Sequence, residues 1–84
     1  MSLPSEPATL TAAEIEELNK QLSTMRHDIN NHLSLIMAAV ELVRRKPEAL
    51  ERMTNTLIEQ PARITEAMLK FSASFERALS IKQD

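Results

Sequence analysis

The 84-residue sequence contains no glycine, cysteine, tryptophan or tyrosine. Glycine supplies the positive-φ positions of tight turns and of phosphate-binding loops. Its absence argues against a sheet built from hairpins, against a P-loop and against a dinucleotide-binding fold. Without cysteine the chain forms neither a disulfide nor a thiolate zinc site, which fits a reducing compartment. These absences favour an all-α protein.

Long apolar runs and strong basic charge are also missing. No stretch approaches the ~20 apolar residues of a membrane-spanning helix, and the first ten residues lack the apolar run of a signal peptide. We therefore expect a soluble, cytoplasmic protein with no membrane contact. The net charge is −2, and the single basic run, residues 44–46, fits a helix C-terminus, where cations complement the helix dipole. Nucleic-acid-binding proteins usually carry a basic stripe, so we expect no nucleic-acid partner.

The sequence marks the start of a long first helix. Residues 1–10, which contain two prolines, are predicted to be a flexible leader. Thr11 and Glu14 form a T-x-x-E capping box, a signal for a helix N-terminus. Apolar or seam residues then recur at alternating steps of three and four, as in a helical bundle: Ile15, Leu18, Leu22, Met25, Ile29, His32, Ile36, Ala39 and Val43. Helix 1 is predicted over about 11–45.

A second helix of similar length follows Pro47, which suits the first position of a helix. The apolar stripe continues through both halves of this segment: Leu50, Met53, Leu57, Ile64, Met68, Phe71, Phe75 and Ala78. Pro61 interrupts the stripe and predicts a kink rather than a break, because both flanks keep one face. Helix 2 is predicted over about 47–80, so residues 11–84 form one helical hairpin domain.

An isolated hairpin of this kind leaves half of each apolar stripe in water. Pairing two hairpins covers the rest, so we predict a homodimeric four-helix bundle. The main structural alternative is a monomeric hairpin that docks on another protein.

One segment in the middle of helix 1 departs from ordinary bundle sequence. With Met25 and Ile29 inside, the heptad pattern places His27 at the outermost position. Asn31 is its i,i+4 neighbour on nearly the same face, and Asp28 follows it directly. We expect an imidazole, a carboxylate and a carboxamide on one solvent-facing patch.

This segment resembles the H-box of the dimerisation and phosphoacceptor domain of bacterial sensor histidine kinases. That motif has a phosphorylated His, an Asp or Glu, a Thr or Asn four residues after the His, a Pro and an apolar residue. Here His27, Asp28, Asn31 and Leu33 match, whereas His32 replaces the Pro. The resemblance extends to the hairpin and covers about residues 11–80, although outside the H-box it is only a pattern.

The resemblance implies a role for each matching residue. His27 would be the nucleophile and phosphoacceptor, since a neutral imidazole carries one unprotonated nitrogen. Asp28 would orient the ring and accept its proton. Asn31 matches the position that holds the attacking water when such domains dephosphorylate their response regulator. The partner would be a receiver domain, which brings its own Mg²⁺, so this chain would need no cofactor and no metal.

The other histidine calls for a different interpretation. His32 occupies a seam position, where a buried histidine bonded to a local polar group is expected. His27 and His32 lie about 140° apart around the helix, so they do not form a same-face metal pair. Because His32 lies opposite Pro61, we hypothesise that the bend of the H-box has moved to helix 2. His32 would then reach the carbonyl of Leu57, which Pro61 leaves without its hydrogen-bond partner.

A complete histidine kinase adds an ATP-binding domain with glycine-rich motifs, and this glycine-free chain has none. We therefore expect a domain of a longer kinase, or a free-standing phosphotransfer or phosphatase protein, with an ATP-binding kinase domain as a further partner in trans. Monomeric histidine phosphotransfer domains match less well, because their motif places Lys-Gly shortly after the His. Two other functions stay open, a purely structural dimerisation bundle and a helical adaptor, neither of which requires an exposed His27.

Overall fold

The computed structural model describes residues 6–79, which form two long helices joined by one turn of 3₁₀ helix. Helix α1 spans Ala12–Arg45, the 3₁₀ turn Pro47–Ala49, and helix α2 Leu50–Ala78. No strand occurs within residues 6–79, so the all-α, two-helix prediction is confirmed. Three predicted parts lie outside the described residues: residues 1–5 of the leader, the last predicted residue of helix 2, Ser80, and the end of the predicted hairpin domain, residues 81–84.

The N-terminus of α1 is fixed by the predicted capping box. The backbone N–H of Glu14 donates to the Thr11 hydroxyl over 3.1 Å, and the Thr11 N–H donates to the Glu14 carboxylate over 3.0 Å. These two bonds satisfy backbone donors that have no partner inside the helix. The pKa of Glu14 lies below its usual value, first because the Thr11 backbone N–H donates to its carboxylate and then because of the interaction of that carboxylate with the Thr11 hydroxyl.

The connection between the helices is short and begins where the sequence predicted. Lys46 leaves helical geometry with φ −132° and ψ 83°, as expected for a residue before proline. Pro47 then starts the 3₁₀ turn, and the Ala49 N–H donates to the Lys46 carbonyl over 2.8 Å. The first turn of the predicted second helix is therefore 3₁₀, and α geometry begins at Leu50.

Helix α2 is continuous through Pro61. The proline therefore does not break the helix, in agreement with the sequence analysis. A bend of the helix axis at this position stays a prediction.

The two helices pack antiparallel in a single layer with a very small core. The molecule is 57 Å long and 12 Å thick, which is about the diameter of one helix. In the described residues, the buried apolar side chains are Ala39 and Ala49, and no large side chain is fully buried. Packing between α1 and α2 alone therefore removes little apolar surface from water.

Most of the large exposed apolar side chains of residues 6–79 lie on one side of this layer, whereas Leu35, Ile58 and Leu69 point elsewhere. Around the axis of α1, the set of residues on this one side lies about 90° from the residues that face α2. Around the axis of α2, it lies about 90° from the residues that face α1, in the same sense of rotation. Because the helices are antiparallel, the same sense of rotation carries both sets to the same side. We call this the apolar side, defined by Leu33, Met37, Val40, Leu50, Met68 and Phe75, all exposed.

The opposite side of the layer carries polar and charged residues. By the same helical geometry it contains His27 and Asn31 from α1 and Arg63, Glu66 and Lys70 from α2, all exposed. We call this the polar side. The histidine that the sequence analysis singled out therefore points away from the apolar surface.

Candidate functional site

His27 lies near the middle of α1 with its side chain exposed. Its two helical neighbours on the inner face, Met25 and Ile29, are half-buried against the rest of the hairpin. The 3.6-residue period turns the position between them outward. The phosphoacceptor hypothesis requires an exposed His27. The His27 side chain is exposed and lies on a continuous stretch of α1.

Asn31 is the residue that contacts the imidazole. Its amide Nδ2 lies 3.3 Å from Nε2 of His27, one helical turn away as the i,i+4 spacing predicted. An amide nitrogen can only donate, so Nε2 accepts and the proton of the neutral ring lies on Nδ1. This hydrogen bond engages the single lone pair of Nε2, so the Asn31 amide has to release Nε2 before that nitrogen can react.

Asp28 does not share the fully exposed patch with His27 and Asn31. It is half-buried, because adjacent residues point about 100° apart around a helix and the Asp28 position faces α2. Within residues 6–79, no hydrogen bond joins the Asp28 carboxylate to His27. The expected three-residue solvent patch is thus a two-residue patch, with the carboxylate set beside it in the space between the helices.

That space is an open groove of about 140 Å³ that runs along the polar side. Asp28 and His32 form its α1 wall, and its α2 wall brings two cations and one carboxylate. Its lining residues are Asp28, His32, Arg63, Glu66, Ala67 and Lys70. Mixed charges of this kind, open to water and next to the exposed imidazole, can contact a polar partner surface.

His32 lies in the interface between α1 and α2. It is half-buried, and its Nδ1 lies 2.8 Å from the side-chain Oε1 of Gln60 on α2. Gln60 is only 3% exposed, and its Nε2 donates to the backbone carbonyl of Thr56 over 3.0 Å. Because the Gln60 oxygen can only accept, Nδ1 of His32 carries the proton in this bond. The predicted bond of His32 to a nearby polar group is confirmed, although His32 is half-buried rather than buried.

The predicted partner of His32 was wrong. The sequence analysis proposed the carbonyl of Leu57, whereas the ring bonds to the side chain of Gln60, the residue before Pro61. The prediction placed the partner of His32 at the correct position along α2. The long side chain of Gln60 extends to the imidazole, so the ring bonds to that side chain and not to a backbone carbonyl.

Sequence reasoning missed Gln60 and the cations of the groove. Gln60 lies three residues after Leu57 and four before Ile64, so it occupies an apolar position of the helix 2 stripe. A polar residue at such a position, level with a seam histidine, was the available signal. Arg63 and Lys70 carried no comparable signal, because solvated cations are common on helices.

The described residues offer no metal site and no membrane span. Among residues 6–79, no group of three histidine, aspartate or glutamate side chains is placed to hold a metal ion. In the same part of the chain, neither helix is both long and apolar enough to cross a bilayer.

Comparison of the chain with protein-family models, with curated proteins and with solved structures finds no match.

Proposed function

We propose that this chain is a histidine phosphoacceptor and dimerisation module of two-component signalling. His27 would exchange a phosphoryl group with the aspartate of a receiver domain. One observation carries the proposal: the imidazole of His27 is exposed midway along a helical hairpin, with the Asn31 amide one turn away at 3.3 Å from Nε2. The resemblance to the H-box adds the reaction class.

The chemistry requires a neutral imidazole and a phosphorylated carboxylate. Nε2 of His27 attacks the phosphorus of the receiver's aspartyl phosphate, the new N–P bond forms, and the P–O bond to the aspartate breaks. The receiver's carboxylate leaves with the electron pair. The phosphorylated ring is cationic until it loses a proton, and Asp28 is the base that the resemblance assigns. In the part of the hairpin that the structure describes, Asp28 lines the groove between the helices, in the same turn of α1 as His27 but without a hydrogen bond to its ring, so the proton transfer requires the Asp28 side chain to reorient.

The proposal includes a homodimer joined through the apolar side. Large side chains there are strongly exposed, Met37 by 73% for example, and contiguous apolar patches on soluble proteins generally mark interaction sites. A second hairpin placed on this side completes a four-helix bundle. His27 and the groove lie on the opposite side, so the dimer leaves both accessible to a receiver domain. A cytoplasmic location remains a prediction.

The test mixes the purified chain with phosphorylated receiver domains from the same organism and follows label on the chain. We expect acid-labile label on the wild type and none on His27→Gln. The chain has only two histidines, so His32→Gln is the matched control for the labelled residue: it should still take up label on His27, at a rate that also reflects the loss of its bond to Gln60. No transfer from any receiver, or equal labelling of His27→Gln, contradicts the proposal.

A second function is favoured by the same apolar side. A purely structural dimerisation or adaptor module would use this surface and be indifferent to His27. In that case the chain would dimerise or bind its partner equally well as wild type and as His27→Gln, without any transfer of label.

A further inference from the structure

The hydrogen bond between His32 and Gln60 differs in kind from the other polar contacts of the hairpin. It joins α1 to α2 across 28 positions of sequence. Glu76 aside, the other side-chain hydrogen bonds and ion pairs within residues 6–79 join residues of the same helix. Apart from whatever Glu76 contributes, the His32–Gln60 hydrogen bond is the specific side-chain contact that aligns the two helices in this part of the chain.

The apolar contacts of the hairpin define that alignment less specifically. The fully buried apolar residues among positions 6–79 are two alanines, and the half-buried seam residues recur with heptad spacing. A slip of α1 past α2 by one repeat would exchange one set of apolar contacts for a similar set. The same slip would leave the Gln60 amide buried without its partner, and an unsatisfied buried polar group is costly. Buried polar pairs that fix helix register are a well-attested device in helical bundles.

The His32–Gln60 hydrogen bond lies within one helical turn of the candidate site. Asp28 precedes His32 by four residues, so both point to nearly the same side of α1, and both line the groove opposite Arg63 and Lys70. Holding His32 against Gln60 therefore holds Asp28 toward α2. The same rotation of α1 turns His27 and Asn31 outward.

We infer that His32 and Gln60 are positioning residues for phosphoryl transfer at His27. The apolar stripe sets the rotation of α1, and the His32–Gln60 bond locks the register of α1 against α2, so that Asp28 stands opposite the charged residues of the groove. This inference rests on the proposed function. In the H-box pattern a proline stands where this chain has His32, so the chain would shape its helix at this point by a cross-helix bond.

The decisive variant replaces both partners by apolar residues, His32→Leu with Gln60→Leu. Removing both polar groups together leaves no buried group unsatisfied, so the hairpin should remain folded. We expect transfer from a phosphorylated receiver to slow by about 10- to 100-fold, the range typical of small misplacements of reacting groups. The swapped variant, His32→Gln with Gln60→His, can rebuild the bond and should recover most of the rate.

Two further measurements separate positioning from a general loss of stability. Thr56→Val changes a neighbouring half-buried side chain of α2 that makes no bond to α1, and it should transfer at the wild-type rate. Nuclear Overhauser contacts between Asp28 and the methyl group of Ala67, which line the same groove, report the register directly. They should change in the double leucine variant and return in the swapped variant.

Each outcome decides the inference. A folded double leucine variant with wild-type transfer and unchanged Asp28–Ala67 contacts overturns it. If that variant does not fold, the swapped variant decides: transfer near the wild-type rate supports positioning, and a folded but slow protein contradicts it. If the wild type accepts no phosphoryl group from any receiver, the proposed function fails. The effect of the His32–Gln60 bond on helix register is then tested only by whether the Asp28–Ala67 contacts change in the double leucine variant.

Discussion

At the scale of single residues, the hydrogen bond from Asn31 to His27 is the feature closest to the proposed chemistry. The amide selects the ring tautomer with Nε2 unprotonated. Once a receiver domain docks, the same amide is one turn from the reacting centre and can hold a water molecule against the receiver's aspartyl phosphate. Asn31 therefore bears on dephosphorylation of the receiver more than on labelling of His27.

We predict that Asn31→Ala slows dephosphorylation of the receiver by about tenfold or more, the scale expected when a positioning group is lost, while His27 still accepts label. Loss of acyl phosphate from the receiver is the quantity to measure. Asn30→Ala is the matched control, because Asn30 is an exposed neighbour about 100° around the helix. Equal effects of the two substitutions, or none from Asn31→Ala, would contradict the assigned role.

The sequence predicted the surroundings of His27 better than those of His32. The outward direction of His27 follows from the heptad pattern alone, because flanking apolar residues fix which face of α1 is inside. The partner of His32 depends on the reach and rotamer of a side chain on the other helix, which periodicity does not encode. The direction of Asp28 toward α2 could have been predicted, because consecutive residues point about 100° apart around a helix. Asp28 was instead assigned to the His27 patch because the two residues are adjacent in sequence.

At the scale of helices, local chemistry determined the boundaries well. The capping box at Thr11 and the proline after Lys46 each act through neighbouring backbone atoms, so α1 begins and ends close to the predicted residues. The 3₁₀ turn over Pro47–Ala49 was missed. Pro47 suits the first position of either helix type, and the sequence does not distinguish an i→i+3 from an i→i+4 bond at this point.

The capping box also gives α1 a dependence on pH. The pKa of Glu14 is lowered in the folded state from its ordinary value of 4.5, first by the Thr11 backbone N–H and then by its hydroxyl. A carboxylate with a lowered folded pKa stabilises the folded state above its unfolded pKa. That contribution is lost as the pH falls through the lower folded value. The stabilisation is therefore complete at neutral pH and disappears under acid conditions below about pH 4.5.

We predict that the free energy of unfolding of the wild type exceeds that of Glu14→Ala at pH 7 and that the difference shrinks as the pH falls below 4.5. Urea unfolding followed by circular dichroism, at one fixed protein concentration, measures both. Glu17→Ala is the control, because Glu17 lies one turn later and bonds to the Gln21 side chain rather than to the backbone. A difference between wild type and Glu14→Ala that is the same at pH 3 and pH 7 would show that the Glu14 carboxylate does not act through the cap.

At the scale of the whole molecule, the hairpin is a layer one helix thick with unequal sides. Its all-helical hairpin fold could be predicted from composition and periodicity, because both act through local helix formation and a single apolar stripe. The association state could not, because it depends on how the two stripes combine in space. Antiparallel packing brings the exposed apolar residues of both helices to one side, which gives each hairpin a surface suited to a second copy.

The pair Leu33 and Ser34 tests this surface with two adjacent substitutions. Both residues are exposed in the hairpin, but Leu33 lies on the apolar side, whereas Ser34 points about 100° away from it. In a two-fold interface each substitution occurs twice, and burying one leucine is worth about 1.5–3 kcal/mol. Because Leu33 is 46% exposed in the hairpin, the dimer gains about half of that value from each copy. Leu33→Glu should therefore remove about 1.5–3 kcal/mol of apolar burial over the two copies, and the cost of burying two carboxylates adds to this loss. The variant should be monomeric at micromolar concentration.

Analytical ultracentrifugation over a concentration series should show a dimer for wild type and Ser34→Glu and a monomer for Leu33→Glu. His27 lies away from the apolar side, so loss of the dimer should not affect the transfer reaction directly. We expect Leu33→Glu to lose label only to the extent that the monomeric hairpin unfolds, which circular dichroism measures. A wild type that stays monomeric at high concentration would remove the dimer from the proposal and leave the apolar side to a different protein.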